Sequence, residues 1–165
     1  MPALRDSFLF KGARRRLWGA AAALWWLALA VGPAPAQAHE HHAPHQGSLQ
    51  SLGEDVAHLE LLMDPRSGRL IAWALDGEAE GYERLAQGSI RIRVLACVPA
   101  RAPFDLVLRP VANALTGESA GSTSQFEAVS PKLAGLRSFS GLCGPLTIRG
   151  VRFRSVRIRY PEGNE

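Results

Sequence analysis

From Val56 onward, hydrophobic and polar residues alternate with a period of two, the mark of strands that bury one face. Ala57, Leu59, Leu61 and Met63 fall on one side of the first such run, and His58 and Glu60 on the other. A turn, "DPRSG" (64–68), separates it from "RLIAWALDG", where Ile71, Trp73 and Leu75 share a face, so the two runs read as a β-hairpin. The next stretch, "GEAEGYERLAQG", is polar and bounded by glycine, which marks a connection. "SIRIRVLAC" then alternates strictly, with Ile90, Ile92 and Val94 inward and Arg91 and Arg93 outward, until Pro99 and Pro103 end it.

Further strands follow in "FDLVLRPVAN", around "QFEAV", in "LRSF", and in the closing "PLTIRGVRFRSVRIRY". Within the last segment Arg149-Gly150 supplies a tight turn. Val151 and Phe153 then fall on odd positions, whereas Val156, Ile158 and Tyr160 fall on even ones. This change of parity predicts a bulge near Arg154-Ser155. Seven or eight short strands at roughly 10-residue spacing, with no long helical pattern, predict an all-β fold. The economical architecture is a single antiparallel β-sandwich, with a closed β-barrel as the alternative. No internal repeat, heptad pattern or phosphate-binding loop accompanies it.

The pattern before Val56 is different. A basic start (Lys11, Arg14, Arg15, Arg16) leads into the apolar run "LWGAAAALWWLALAVG" and a small-residue exit, "APAQA". These are the three parts of a secretory signal, and the run is shorter than the ~20 residues that span a bilayer as a helix. Residues 1–38 are therefore expected to be a cleaved signal peptide, 39–53 a flexible His-rich arm, and 54–165 the β domain. The product would be periplasmic or secreted, with no stable membrane anchor. Cleavage is expected after Ala38 or Ala36.

Removal of the signal changes the charge. Five of the 19 Lys and Arg residues and one of the 15 Asp and Glu residues precede His39, which leaves 14 of each. The basic balance of the whole chain thus belongs to its leader, and nucleic-acid binding loses its support. Cys97 and Cys143 are the chain's two cysteines. In an oxidising compartment they are most simply a disulfide, worth about 4 kcal/mol in the chain-entropy picture; two unpaired thiols are the alternative, and a thiolate metal site, which would need more nearby sulfur or histidine than the sequence shows, is the third.

The chemistry concentrates in "AQAHEHHAPH", which holds His39, His41, His42 and His45. Cleavage after Ala38 creates a free amine with histidine third in the chain (His39-Glu40-His41). Cleavage after Ala36 does the same with Gln37-Ala38-His39. An amine, two deprotonated amides and an imidazole form a planar set that suits Cu(II) or Ni(II). His42 and His45 add neutral imidazoles for Zn(II) or further copper, and the opposite reading is a solvated arm without a metal role. His58, on the outward face of its strand with Glu60 two positions on, is a further candidate metal pair. Trp73 reads as core, the outward arginines as a solvated face, and Asp76, Glu78, Glu80 and Glu83 as solvated acids. No nucleophile with a matching base is evident, so the protein is expected not to be an enzyme.

The histidine-rich start running into "PHQG", together with "AHLELLMDPRSGRLIAWALDG", "PVANALTGESAGSTSQFEA" and "IRGVRFRSVRIRYPEGN", resembles a group of small exported bacterial proteins associated with heavy-metal efflux systems. Where that group has His-Gly-Gly, this chain has His45-Gln46-Gly47. A more distant likeness, through His39 and the architecture, is to periplasmic copper-resistance β-sandwiches whose mature chain begins with a ligating histidine. The resemblance implies a periplasmic accessory in metal handling with efflux components of the envelope as partners, and the planar donor set favours Cu(II), with Zn(II) or Ni(II) possible. The competing expectation is an envelope protein–protein interaction module whose arm has no metal role.

Overall fold

The structure, a computed structural model, describes residues 42–54 and 56–164. The expected signal segment, and with it His39 and His41, lies outside the described residues. Among the described residues ten strands form: β1 (Ser48–Leu52), β2 (Ala57–Asp64), β3 (Arg69–Leu75), β4 (Ile90–Val98), β5 (Phe104–Pro110), β6 (Gln125–Val129), β7 (Ser138–Cys143), β8 (Leu146–Ile148), β9 (Val151–Phe153) and β10 (Val156–Tyr160). Eight of them make one antiparallel sheet in the order β1-β2-β3-β6-β5-β4-β7-β10, and β8 and β9 form a separate hairpin. The all-β class and the antiparallel pairing are as expected, and the main sheet curls until it is nearly a closed barrel.

Alternation explains the curl, because most strands of the sheet have one apolar face and the sheet wraps that face around a single core. Leu59 and Leu61 of β2, Leu70 and Ala72 of β3, Ile90 and Ile92 of β4, Leu108 of β5, Phe126 of β6 and Ile158 of β10 are buried together. Leu133 and Leu136, from the connection between β6 and β7, are also buried in this core. The β8–β9 hairpin adds Leu146 and Ile148 and turns through Arg149 and Gly150, both at positive φ (51° and 78°).

Between β1 and β10 two side-chain amides take the place of a backbone ladder. The Gln50 amide accepts from Arg159 N at 3.0 Å and donates to Arg159 O at 2.7 Å, so one side chain imitates a strand residue. Asn164 does the same for Ser51, accepting from its N–H at 2.7 Å and donating to its carbonyl at 3.2 Å. Gln50 is fully buried, so these bonds satisfy polar groups that water does not reach.

Several expectations are corrected. The flexible arm was expected to run to Gly53, but residues 48–52 are β1, paired along its length with Ala57–Leu61. Its sequence, "SLQSL", is too polar to look like a strand because Ser48 and Gln50 are spent on the seam with β10. The disulfide is replaced by two free cysteines. Cys143 stands opposite Ile92, while Cys97 stands opposite Phe139, four residues along β7. That offset is about 13 Å along the strand, against the ~7 Å limit for Cα atoms of a bridged pair. The parity change near Arg154-Ser155 marks a switch of ladder rather than a bulge, since β9 pairs with β8 and β10 with β7.

Two outcomes follow from this architecture. Gln50→Ala should lower the stability measured by chemical denaturation by about 2 kcal/mol, because it leaves the Arg159 N–H at the seam without its acceptor, while the Arg159 carbonyl keeps Ser48 Oγ and Gly163 N. Under non-reducing conditions at pH 8, iodoacetamide should label Cys97, whereas Cys143, buried and with its thiol pushed up to about 12 by that burial, should react only after unfolding. A closed bridge detected by mass spectrometry would contradict the strand register.

Candidate functional site

The outer face of β1, β2 and β3 is not left to solvent. Across β2 and β3, His58 faces Leu75, Glu60 faces Trp73, and Leu62 faces Ile71. The chain before β1 folds over this face as a short strap. Ile71, Trp73 and Leu75 therefore sit opposite the barrel core, in a small second cluster with Leu49, Leu62 and Ala79. The expectation that Trp73 belongs to the main core is corrected accordingly.

Glu60 holds the strap in place. Its Oε1 accepts from the backbone N–H of His45 and of Gly47, each at 2.8 Å, and its Oε2 lies 2.8 Å from Nδ1 of the His45 ring. The Glu60 side chain is 0% exposed, whereas that of His45 is 30% exposed. The ring lies flat on Trp73, with centroids 3.7 Å apart and planes 10° from parallel. Such a contact contributes about 1 kcal/mol beyond the area it covers. Gln46 at φ 60° and a Gln46 N to Ala43 O bond of 3.0 Å bend the strap, and Gly47 lets it pass. A Cβ at position 47 would stand 2.6 Å from Leu61 O and 2.8 Å from Glu60 Cγ.

A carboxylate that takes two backbone N–H groups on one oxygen acts as acceptor on the other. With Nδ1 as the donor to this carboxylate, a neutral His45 ring carries its lone pair on Nε2. Nε2 points outward to the Tyr82 hydroxyl at 3.3 Å. Tyr82, 52% exposed, reaches this place because the connection after β3 doubles back. Asp76 accepts from the N–H groups of Glu80 and Gly81, both at 3.0 Å. Burial, which raises the Asp76 pKa, is outweighed by these backbone donors, and the carboxyl stays below its ordinary range. Asp76 is therefore the anchor of a turn rather than a merely solvated acid.

Beyond Nε2 lies an open cleft of about 490 Å³. His45, Trp73 and Tyr82 line it on one side; Arg84, Asn113, Thr116, Glu118, Ser124 and Gln125 line the rest. Glu118 fastens its own loop by accepting from Ser124 N at 2.8 Å, Ser124 Oγ at 2.7 Å and Thr116 Oγ1 at 2.9 Å. Burial opposes its ionisation, but the Ser124 and Thr116 donors and the Arg84 charge prevail, so its pKa is lowered. Arg84 donates to Thr116 O across the cleft mouth.

Of the described histidines His42, His45 and His58, His45 is the one the fold builds into this site. His42 is exposed at the start of the strap. The candidate surface pair His58 and Glu60 is corrected: both are fully buried, His58 with Nδ1 3.1 Å from Asp76 O and Glu60 beneath His45. Their face looked outward because it is polar in sequence, yet the strap and the Asp76 turn cover it. Among the described residues no group of three or more His, Cys, Asp or Glu side chains is placed to hold a metal ion. Trp73, Tyr82 and Arg84 were not singled out for the site by the sequence pattern. A cue was present in Gly-Tyr-Glu-Arg (81–84), an aromatic and a cation inside a polar connection.

Comparisons with protein-family models, curated proteins and solved structures find no match. The geometry of the strap carries its own test. In a chain beginning at His39, Trp73 is the sole tryptophan, because Trp18, Trp25 and Trp26 precede it. Gly47→Ala should displace the strap, uncover Trp73 and move its fluorescence to longer wavelength; an unmoved spectrum would refute the fit at Gly47.

Proposed function

We propose that this protein is a periplasmic metal-binding accessory in heavy-metal handling or efflux, capturing Cu(II) in preference to Zn(II) or Ni(II). The observation that supports the reading is His45, whose Nδ1 is tied to a buried carboxylate while Nε2 lies 3.3 Å from the Tyr82 hydroxyl in a ring that lines an open cleft. Metal-binding histidines commonly carry such a carboxylate behind the ligating ring, where it fixes the tautomer and raises the basicity of the free nitrogen. The stacked Trp73 ring fixes the imidazole plane as well. One preorganised nitrogen is not a metal site. The remaining donors are assigned to the histidines just before it, His42, His41 and His39, and to the amine that cleavage exposes. On this reading the strap gives the histidine-rich region a fixed end, and the barrel presents the bound ion to an efflux partner.

One observation favours the competing reading as an interaction module. Arg93 of β4 and Arg157 of β10 both stand opposite Leu142 of β7, with Arg91 and Arg159 exposed on the same strands. A basic surface with an apolar centre fits an acidic protein partner.

The metal reading is tested by titrating the exported protein, its N-terminus established by mass spectrometry, with Cu(II) while Trp73 emission is followed. One equivalent should quench the emission. His45→Ala should weaken binding by about tenfold or more, and Glu60→Gln by about tenfold. Tight binding that leaves Trp73 emission unmoved and is indifferent to His45→Ala would confine the ion to the chain's amine and remove His45 from the site.

A further inference from the structure

We propose that the outer face of β4, β7 and β10 docks an acidic segment of a partner protein, which anchors one apolar side chain in the pocket beside Arg159. The inference rests on the reading of this protein as an interaction module and requires no metal.

Strand register places the charges. β4 and β10 both pair antiparallel with β7 and so run parallel to each other. Arg93 and Arg157 share the row of Leu142, Arg159 stands opposite Ser140 in the next row, and Arg91 lies one row back on β4. With strands ~4.8 Å apart and ~6.8 Å per two residues, the four arginines form an oblique band about 17 Å long. All four are exposed. Arg93 is paired with Asp105 at 2.8 Å, whereas Arg91, Arg157 and Arg159 stand in no ion pair among the described residues. Leu142, 36% exposed, lies inside the band, and Leu95, the extra residue of a β4 bulge, is 47% exposed beside it. From His39 onward the chain holds 14 basic and 14 acidic residues, so this excess of positive charge is local.

At the Arg159 end of the band a pocket of about 200 Å³ opens between the three strands. Cys97, Val98, Phe139 and Tyr160 line it together with Arg159 and Glu162. The Phe139 and Tyr160 rings stack with centroids 5.5 Å apart and give it an aromatic wall. Its volume falls below the ~300 Å³ at which small-molecule sites begin and suits one side chain. An apolar anchor pocket bordered by arginines is the anatomy of a protein interface.

Residue type decides between an acidic protein and an anionic bilayer. Thirteen of the 14 basic residues from His39 onward are arginine, and the one lysine, Lys132, lies over the Phe104 ring away from the band. A charged bilayer attracts either cation, whereas the guanidinium fork matches the paired oxygens of a carboxylate. Leu142 sits mid-strand with an arginine on each side and is not the tip of a loop, so it is poorly placed to enter acyl chains.

The test places a benzoylphenylalanine photocrosslinker at position 95 or, as a second site, at position 129 on β6, where Val129 is 68% exposed, and irradiates cells that export the protein. Position 95 should yield a protein adduct whose linked peptide, read by mass spectrometry, is rich in Asp and Glu. Arg157→Glu with Arg159→Glu should cut its yield by about tenfold. Arg157→Lys with Arg159→Lys, which keeps the charge and loses the fork, should cut it by about threefold. An adduct to lipid, to a second copy of this chain or to a peptide without acidic residues would overturn the proposal, and so would a yield indifferent to charge reversal. If position 129 alone yields protein adducts, the interaction reading stands on another face and the proposal falls; if neither position yields one, both fall.

Discussion

A fully buried carboxylate is tolerated in a protein only if it is densely hydrogen-bonded, and Glu60 meets that condition by gathering three N–H donors from a six-residue strap. Much of the outer face depends on this bond set. It pulls the chain before β1 across the sheet, lays His45 on Trp73 and sets Nε2 beside the Tyr82 hydroxyl. The position of Glu60 is equally constrained, because β2 is paired on both sides, by β1 and by β3. The acid cannot swing out to solvent without the strap leaving the sheet. Gly47 is the point where this constraint reaches the sequence, since a side chain there would collide with β2 backbone.

The strap continues directly into β1, and β1 also closes the barrel. Gln50 and Asn164 bridge to β10 and to Ser51 through side-chain amides, so one five-residue strand joins the seam on one side and the site on the other. Inside the barrel, leucine, isoleucine and phenylalanine fill the space. Chemistry is therefore displaced to the outside of β2 and β3, where two connections, the Asp76 turn and the loop from Asn113 to Ser124, supply the walls of a cleft. Each connection is held by its own carboxylate, Asp76 in one and Glu118 in the other, and each of these acids is ionised more readily than an ordinary carboxyl despite burial. The cleft is thus a preformed polar surface resting on a rigid apolar body.

The strands were legible because alternation is a local signal. "HLELLM", "RLIAWAL", "IRIRV" and "VRIRY" announce themselves within a few residues, and so do the turns at "DPRSG" and at Arg149-Gly150. β1 was not legible, because its inward positions, Ser48 and Gln50, are polar residues bonded to a strand more than a hundred positions away. His45 was legible as a ligand type by residue chemistry alone. Its partners were not: Glu60, Trp73 and Tyr82 lie 15, 28 and 37 positions further along the chain.

By itself the sequence determined the all-β class, the strand positions and the presence of imidazoles near the start of the β domain. Tertiary structure decided which faces are covered. A period of two says that neighbours point in opposite directions; it does not say that a strap will bury the polar side as well. It also decided the cysteines, whose separation in space depends on how β4 and β7 are registered and not on the 46 positions between them. What turned one histidine of a polar arm into an oriented one is a buried acid on another strand, a contact that exists only once the chain has closed on itself.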